Sequence, residues 1–189
     1  MKLHFDSNQP YQNDAVKSIT DIFEGQPLNG GDFEFSIFQA GALHSENGFG
    51  NNLSISEEQI WENVKTIQNT NEIKNEAEMQ GMNFTVEMET GTGKTYVYLR
   101  TIFELHKLYG FTKFVIVVPS VAIREGVLKN LQITHDHFQN LYDKVQVNAE
   151  VYDSKKVSNL RGFASGNSIQ ILVINIDSFA KDENIINKS

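Results

Sequence analysis

No cysteine occurs among the 189 residues. That absence excludes disulfides, thiolate metal sites and a cysteine nucleophile. Positive charge is also scarce: 16 Lys and Arg stand against 24 Asp and Glu, for a formal net charge of -8. A chain so charged has no global basic field, so any contact with nucleic acid requires a local patch. Long apolar runs are missing as well. The start, Met1-Lys2-Leu3-His4-Phe5-Asp6, lacks the hydrophobic stretch of a secretory signal, and no segment approaches membrane-spanning length. With 40% hydrophobic and 21% charged residues, the sequence reads as a soluble, cytoplasmic globular protein. It is long enough for one domain with a full core and too short for two large ones.

What the sequence has is concentrated in Glu89-Thr90-Gly91-Thr92-Gly93-Lys94-Thr95. Upstream, Asn83-Phe84-Thr85-Val86-Glu87-Met88 predicts a short strand. Downstream, Tyr96-Val97-Tyr98-Leu99-Arg100 begins an amphipathic helix. Strand, glycine loop and helix are the setting of a phosphate-binding loop. Gly91 and Gly93 lack a Cβ, so the backbone can take positive φ and wrap successive N–H groups around a di- or triphosphate. The helix start adds unpaired N–H groups and a positive dipole end. In this pattern Lys94 reaches the β- and γ-phosphates and the Thr95 hydroxyl is a ligand of Mg²⁺. One position departs: the eight-residue pattern begins with Gly, and Met88 stands there. The bland alternative is an ordinary glycine turn ahead of a helix.

Three zones differ along the chain. Gln9-Pro10-Tyr11-Gln12 leads into a predicted helix over 13–23, with Ala15, Val16, Ile19, Ile22 and Phe23 on one face and Pro10 in the tolerated first turn. Residues 25–80 are rich in Asn, Gly and Glu and read as an insertion, partly helical. Within it Asp32 to Phe38 alternates like a strand and Gly48-Phe49-Gly50-Asn51-Asn52 reads as a loop. Ser56 with Gln59 three residues on predicts a capping box and a helix start. From Asn83 onward strands and helices alternate. Phe114-Val115-Ile116-Val117-Val118 predicts a strand buried on both faces, 145–151 alternates as nearer an edge, and 169–174 is again continuous. The pattern is α/β, doubly wound around a mostly parallel sheet. Of the five histidines, none gathers the support of a metal site.

The order Gln9-Pro10-Tyr11-Gln12, Met88 to Thr95, Val117-Val118-Pro119-Ser120 and Leu172-Val173-Ile174-Asn175-Ile176-Asp177-Ser178-Phe179 resembles the amino-terminal motor domain of superfamily 2 helicases. Within that group it looks most like the restriction (Res) subunit of type III restriction-modification enzymes. The resemblance implies a RecA-like P-loop NTPase domain using ATP and Mg²⁺, with double-stranded DNA as substrate and a modification methyltransferase subunit as partner. It implies that Thr90, Gly91, Thr92, Gly93, Lys94 and Thr95 bind the phosphates, with Lys94 and Thr95 also serving catalysis. Gln12 matches the glutamine that reads adenine, for which an amide offers a donor and an acceptor in one plane. Its plain alternative is capping of its own helix.

Pro119 and Ser120 match a motif contacting the nucleic-acid backbone, although Pro119 also suits the end of a strand and Ser120 the N-cap of a helix over 121–131; Arg124, one turn in, is either a further phosphate contact or a solvated surface side chain. Asp177 ends an apolar run as a Walker B aspartate does. The usual Glu does not follow, so Ser178 is read instead as a phosphate contact and the segment as the preceding DNA-contacting motif. On that reading the acidic box, the second motor domain with its arginine finger and the nuclease domain all lie outside this sequence. Two rivals come from other classes. A small P-loop kinase needs lid arginines, and only Arg100, Arg124 and Arg161 exist. A non-hydrolysing nucleotide-binding module would ignore DNA.

Overall fold

The structure, a computed structural model, describes residues 5–28, 50–74, 81–154 and 157–180. The strand-like stretch at 32–38 lies outside them. The chain divides into two compact units, one of residues 1–28 and 53–109, the other of 29–52 and 110–189.

In the first unit, helix α1 (Pro10–Thr20) starts with Pro10 in its first turn and continues into a 3-10 turn (Asp21–Phe23). Gln12, Val16 and Thr20, each four residues from the next, form its buried stripe. Helix α2 (Glu57–Thr70) starts where Ser-x-x-Gln predicts: the Ser56 hydroxyl accepts from the Gln59 N–H at 3.2 Å. The Gln59 side chain runs along the helix, its Nε2 donating to Asn63 Oδ1 at 3.0 Å. Glu57 and Glu58 place negative charge at the positive end of the helix dipole. Ile60 and Val64 of α2 close a small core with Ile22, against which Phe23, Trp61 and Ile67 pack. The part of the predicted insertion that forms α2 is therefore built into the core of this unit. Helix α3 (Lys94–Tyr109) is buried on most of its circumference, through Val97, Leu99, Ile102, Phe103 and Leu105 among others. Its Tyr109 hydroxyl donates to the Thr20 carbonyl at 3.0 Å, fixing the end of α1.

One expectation fails here. Segment 83–89 is irregular and pairs with no strand among the described residues. A strand exists only through its ladder partner, and without one Phe84 and Val86 stand 36% and 42% exposed.

In the second unit, β1 (Lys113–Val118), β2 (Val147–Val151) and β3 (Ile169–Asn175) form a parallel sheet in the order β1-β3-β2. Helix α4 (Val121–Leu141) connects β1 to β2, and α5 (Val157–Ser165) connects β2 to β3. β3 is central and buried from Ile169 to Ile174, as its continuous apolar run predicts. β2 lies at an edge, also as predicted. β1 corrects the expectation of burial on both faces: among the described residues it is the other edge, and Val115 and Val117 are 52% and 48% exposed. These two share one face by the two-residue period, and the face they share meets solvent. Asn51 completes the start of this edge, its Oδ1 accepting from the N–H groups of Thr112 and Lys113 and its Nδ2 donating to the Lys113 carbonyl.

Candidate functional site

The glycine loop of the first unit has the backbone that its sequence demands. Gly91 and Gly93 sit at φ 82° and 85°, a region that disfavours any residue with a Cβ. Helix α3 begins at Lys94, so the N–H groups of its first turn open onto the loop. Two bonds draw the loop together: Thr92 Oγ1 donates to the Glu89 carbonyl at 2.7 Å and Lys94 Nζ to the same carbonyl at 2.6 Å. The lysine ammonium is thus folded back over the loop, on a neutral carbonyl oxygen where a phosphate would offer an anionic one. Thr95 lies beside Tyr98; burial pushes the Tyr98 phenol above its ordinary pKa, and its hydrogen bond with Thr95 opposes that rise. A Cβ added at Gly91 would meet nothing within 4 Å, which leaves the loop open there. These residues fit a polyphosphate with a divalent cation. The first N–H groups of α3 and the Lys94 ammonium offer donors and positive charge there, and Thr95 offers a hydroxyl oxygen at the start of the helix.

Gln12 joins this loop from α1. Its Nε2 donates to the Thr92 carbonyl at 2.9 Å across 80 residues of sequence. The N-cap of α1 is Gln9, without a side-chain cap bond, so capping is not what Gln12 does. The orientation of the amide follows from chemistry, because only nitrogen can donate to a carbonyl. Oε1 accepts no protein hydrogen bond among the described residues. The sequence suggested both amide groups for a base; the structure commits one of the two amide N–H donors to the loop and leaves the acceptor. A cleft of about 1410 Å³ adjoins, lined by Tyr11, Asp14, Trp61, Glu89 and Thr92 among others.

The second unit holds the remaining predicted residues. Ser120 caps α4 by accepting from the Ile123 N–H at 3.3 Å, and Pro119 separates that cap from β1. Arg124, in the first turn of α4, pairs with Glu125 at 2.8 Å. Asn175 accepts from the Asp177 N–H at 2.9 Å, setting a 3-10 turn (Ile176–Phe179) that carries Ser178 directly after β3. Arg124, Asp177 and Ser178 come together in a cleft of about 380 Å³, with Tyr152, Asp153 and Ser154 from the end of β2. Pro119 and Ser120 do not line it. The C-terminal ends of parallel strands are where α/β sheets gather ligand groups. Sequence reasoning missed the β2 contribution, since Tyr152-Asp153-Ser154 carries no motif.

A family model described as type III restriction enzyme, res subunit, matches residues 7–189. The chain belongs to this family. The Res subunit of the type III restriction-modification enzyme EcoPI from Escherichia phage P1 is 31% identical over 157 residues, 80% of this chain and 15% of that protein. The EcoP15I Res subunit of Escherichia coli is 38% identical over 109 residues, 55% of this chain and 11% of that one. The StyLTI Res subunit of Salmonella typhimurium is 52% identical over 69 residues, 34% of this chain and 7% of that one. The matched stretches thus cover less than a sixth of the length of these relatives. Res-family membership accounts for the α/β fold and for a P-loop followed by parallel strands. Among the described residues no helix is long and apolar enough to cross a membrane.

Proposed function

We propose that this chain is the ATP-binding, amino-terminal part of the motor domain of a type III restriction Res subunit. The observation that carries the reading is the Gln12–Thr92 bond, which sets a base-facing amide on the loop that holds phosphates. Thr90 to Gly93 and the first N–H groups of α3 surround the β- and γ-phosphates, Lys94 moves from the Glu89 carbonyl onto them, and Thr95 holds Mg²⁺. When bound, the magnesium ion supplies charge neutralisation at the phosphoryl group. Gln12 Oε1 accepts from the exocyclic amine of adenine, whereas guanine would set a carbonyl oxygen against it. In the second unit, Pro119, Ser120, Arg124 and Ser178 face the backbone of double-stranded DNA. Residues 25–80 are an insertion ahead of the loop that characterises this group of motors. A modification methyltransferase subunit is the partner that directs such a motor to its DNA.

The test is nucleotide-dependent thermal protection. ATP with magnesium should raise the melting temperature of this chain, and GTP should raise it less. Equal protection by ATP and GTP would remove Gln12 from base recognition; no protection by either would remove the loop as well.

A further inference from the structure

Gln12 can read a base only if α1 presents it at the loop, and something must hold α1 in that register. The far end of the helix is tied to α3 by Tyr109 and Thr20. The near end, which carries Gln12, is tied by Arg100. Its Nη1 donates to the Ser7 carbonyl at 2.7 Å and to Asn13 Oδ1 at 2.6 Å. Its Nη2 lies 3.9 Å from Glu104 Oε1, one turn further along α3. Only 13% of the arginine side chain is exposed. Phe5 stacks on Tyr96 beside this clamp, with ring centroids 5.8 Å apart.

We propose that Arg100 is a positioning residue for base recognition, holding the first turn of α1 on the nucleotide-loop helix so that Gln12 keeps its bond to Thr92. The proposal rests on the reading of Gln12 given above. Charge-assisted hydrogen bonds are short and about twice as strong as neutral ones, and both Nη1 bonds have that length. Their acceptors are the residue directly after Gln12 and the segment that enters the helix. A lysine would lack the second nitrogen that faces Glu104 while the first holds Ser7 and Asn13. With the Tyr109–Thr20 bond intact, loss of Arg100 frees the first turn of α1 and leaves the glycine loop and α3 in place. Phosphate binding and base discrimination should therefore separate.

Dissociation constants for ATP, GTP and inorganic tripolyphosphate are measured on the full chain and on Gln12→Ala, Arg100→Ala, Asn13→Ala and the double variant Gln12→Ala/Arg100→Ala. Loss of one well-made amide contact corresponds to roughly tenfold in the ATP-to-GTP preference. Gln12→Ala and Arg100→Ala should each lose about that preference, and Arg100→Ala should leave tripolyphosphate binding unchanged. The double variant should lose no more than Gln12→Ala alone, because the two act through one contact. A normal preference in Arg100→Ala beside a collapsed one in Gln12→Ala overturns the positioning role and leaves the Gln12 reading standing. A normal preference in Gln12→Ala overturns both. Equal weakening of tripolyphosphate and ATP by Arg100→Ala shows general support of the fold and overturns the proposal. Should Arg100→Ala not fold, Asn13→Ala decides, since it removes one acceptor and keeps the arginine: a reduced preference supports the clamp and an unchanged one overturns it.

Discussion

A Cβ at Gly93 would lie 2.7 Å from Gln12 Nε2, closer than side chains approach one another. The glycine is thus required twice, by its φ of 85° and by the amide packed against it. Gly91, at φ 82°, has open space where its Cβ would be. Gly91→Ala should therefore cost only the backbone term, roughly 1–2 kcal/mol. Gly93→Ala should cost that and about 1 kcal/mol more for the displaced Gln12 bond. Denaturant melts of both variants, repeated in a Gln12→Ala background, check this. The difference between the two glycines should vanish once Gln12 is gone, and a difference that persists would mean that the amide does not crowd the loop.

Lys94 gives up a contact when phosphate arrives, because its Nζ already rests on the Glu89 carbonyl. Lys94→Ala should leave the unliganded chain nearly as stable as before, since an exposed bond of this kind contributes little. Its effect appears with ligand present. For the parent chain, ATP at about 100-fold excess over its dissociation constant adds roughly 2.7 kcal/mol by mass action, and the variant should lose most of that. Thermal shift with ATP and magnesium measures the loss; full protection of Lys94→Ala would remove the lysine from phosphate binding.

How far the sequence carried the argument depends on how local each feature is. The Ser56 cap and the two positive-φ glycines are written in neighbouring residues, and the structure has them. β3 was legible because its continuous apolar run reflects a position between two strands. β1 carries the same kind of run and lies at an edge, because sheet order is decided by partners far along the chain. Segment 83–88 shows the same limit: alternation marks a chain able to become a strand, and pairing decides whether it does. Arg100 was invisible as a clamp for the same reason. Its role comes from the meeting of α1 and α3, which places Ser7 and Asn13 beside a residue about 90 positions away.

Asn63 tests whether α2 is integral to the first unit. Its Nδ2 donates to the carbonyls of Ile22 at 3.0 Å and Glu24 at 2.9 Å, and its Oδ1 accepts from Gln59. Asn63→Ala leaves the buried Ile22 carbonyl without this donor and should destabilise the chain by about 1–3 kcal/mol. Asn63→Asp should cost more, because it sets a carboxylate against two carbonyl oxygens. Chemical denaturation gives the ranking. If the alanine variant is neutral, α2 rides on the core without holding it.

Asp177 decides whether binding can become turnover. Hydrolysis needs groups that favour the transition state over the ground state, above all a carboxylate holding the metal and positive charge near the transferring phosphoryl. Asp177 is exposed, sits in a 3-10 turn after β3, and has its N–H held by Asn175. Its neighbours in the cleft are Arg124 and Ser178, which suit contact with a nucleic-acid backbone, and Asp153, a second carboxylate. If the turn after β3 contacts DNA as proposed, this chain by itself should bind ATP yet show no DNA-stimulated hydrolysis above background. Asp177→Asn should leave ATP-dependent thermal protection unchanged. A steady-state ATPase assay with and without duplex DNA, run beside a Lys94→Ala control, is the check. Turnover that requires Lys94 and disappears in Asp177→Asn would make Asp177 the metal-holding carboxylate and reassign the turn after β3 from DNA contact to catalysis.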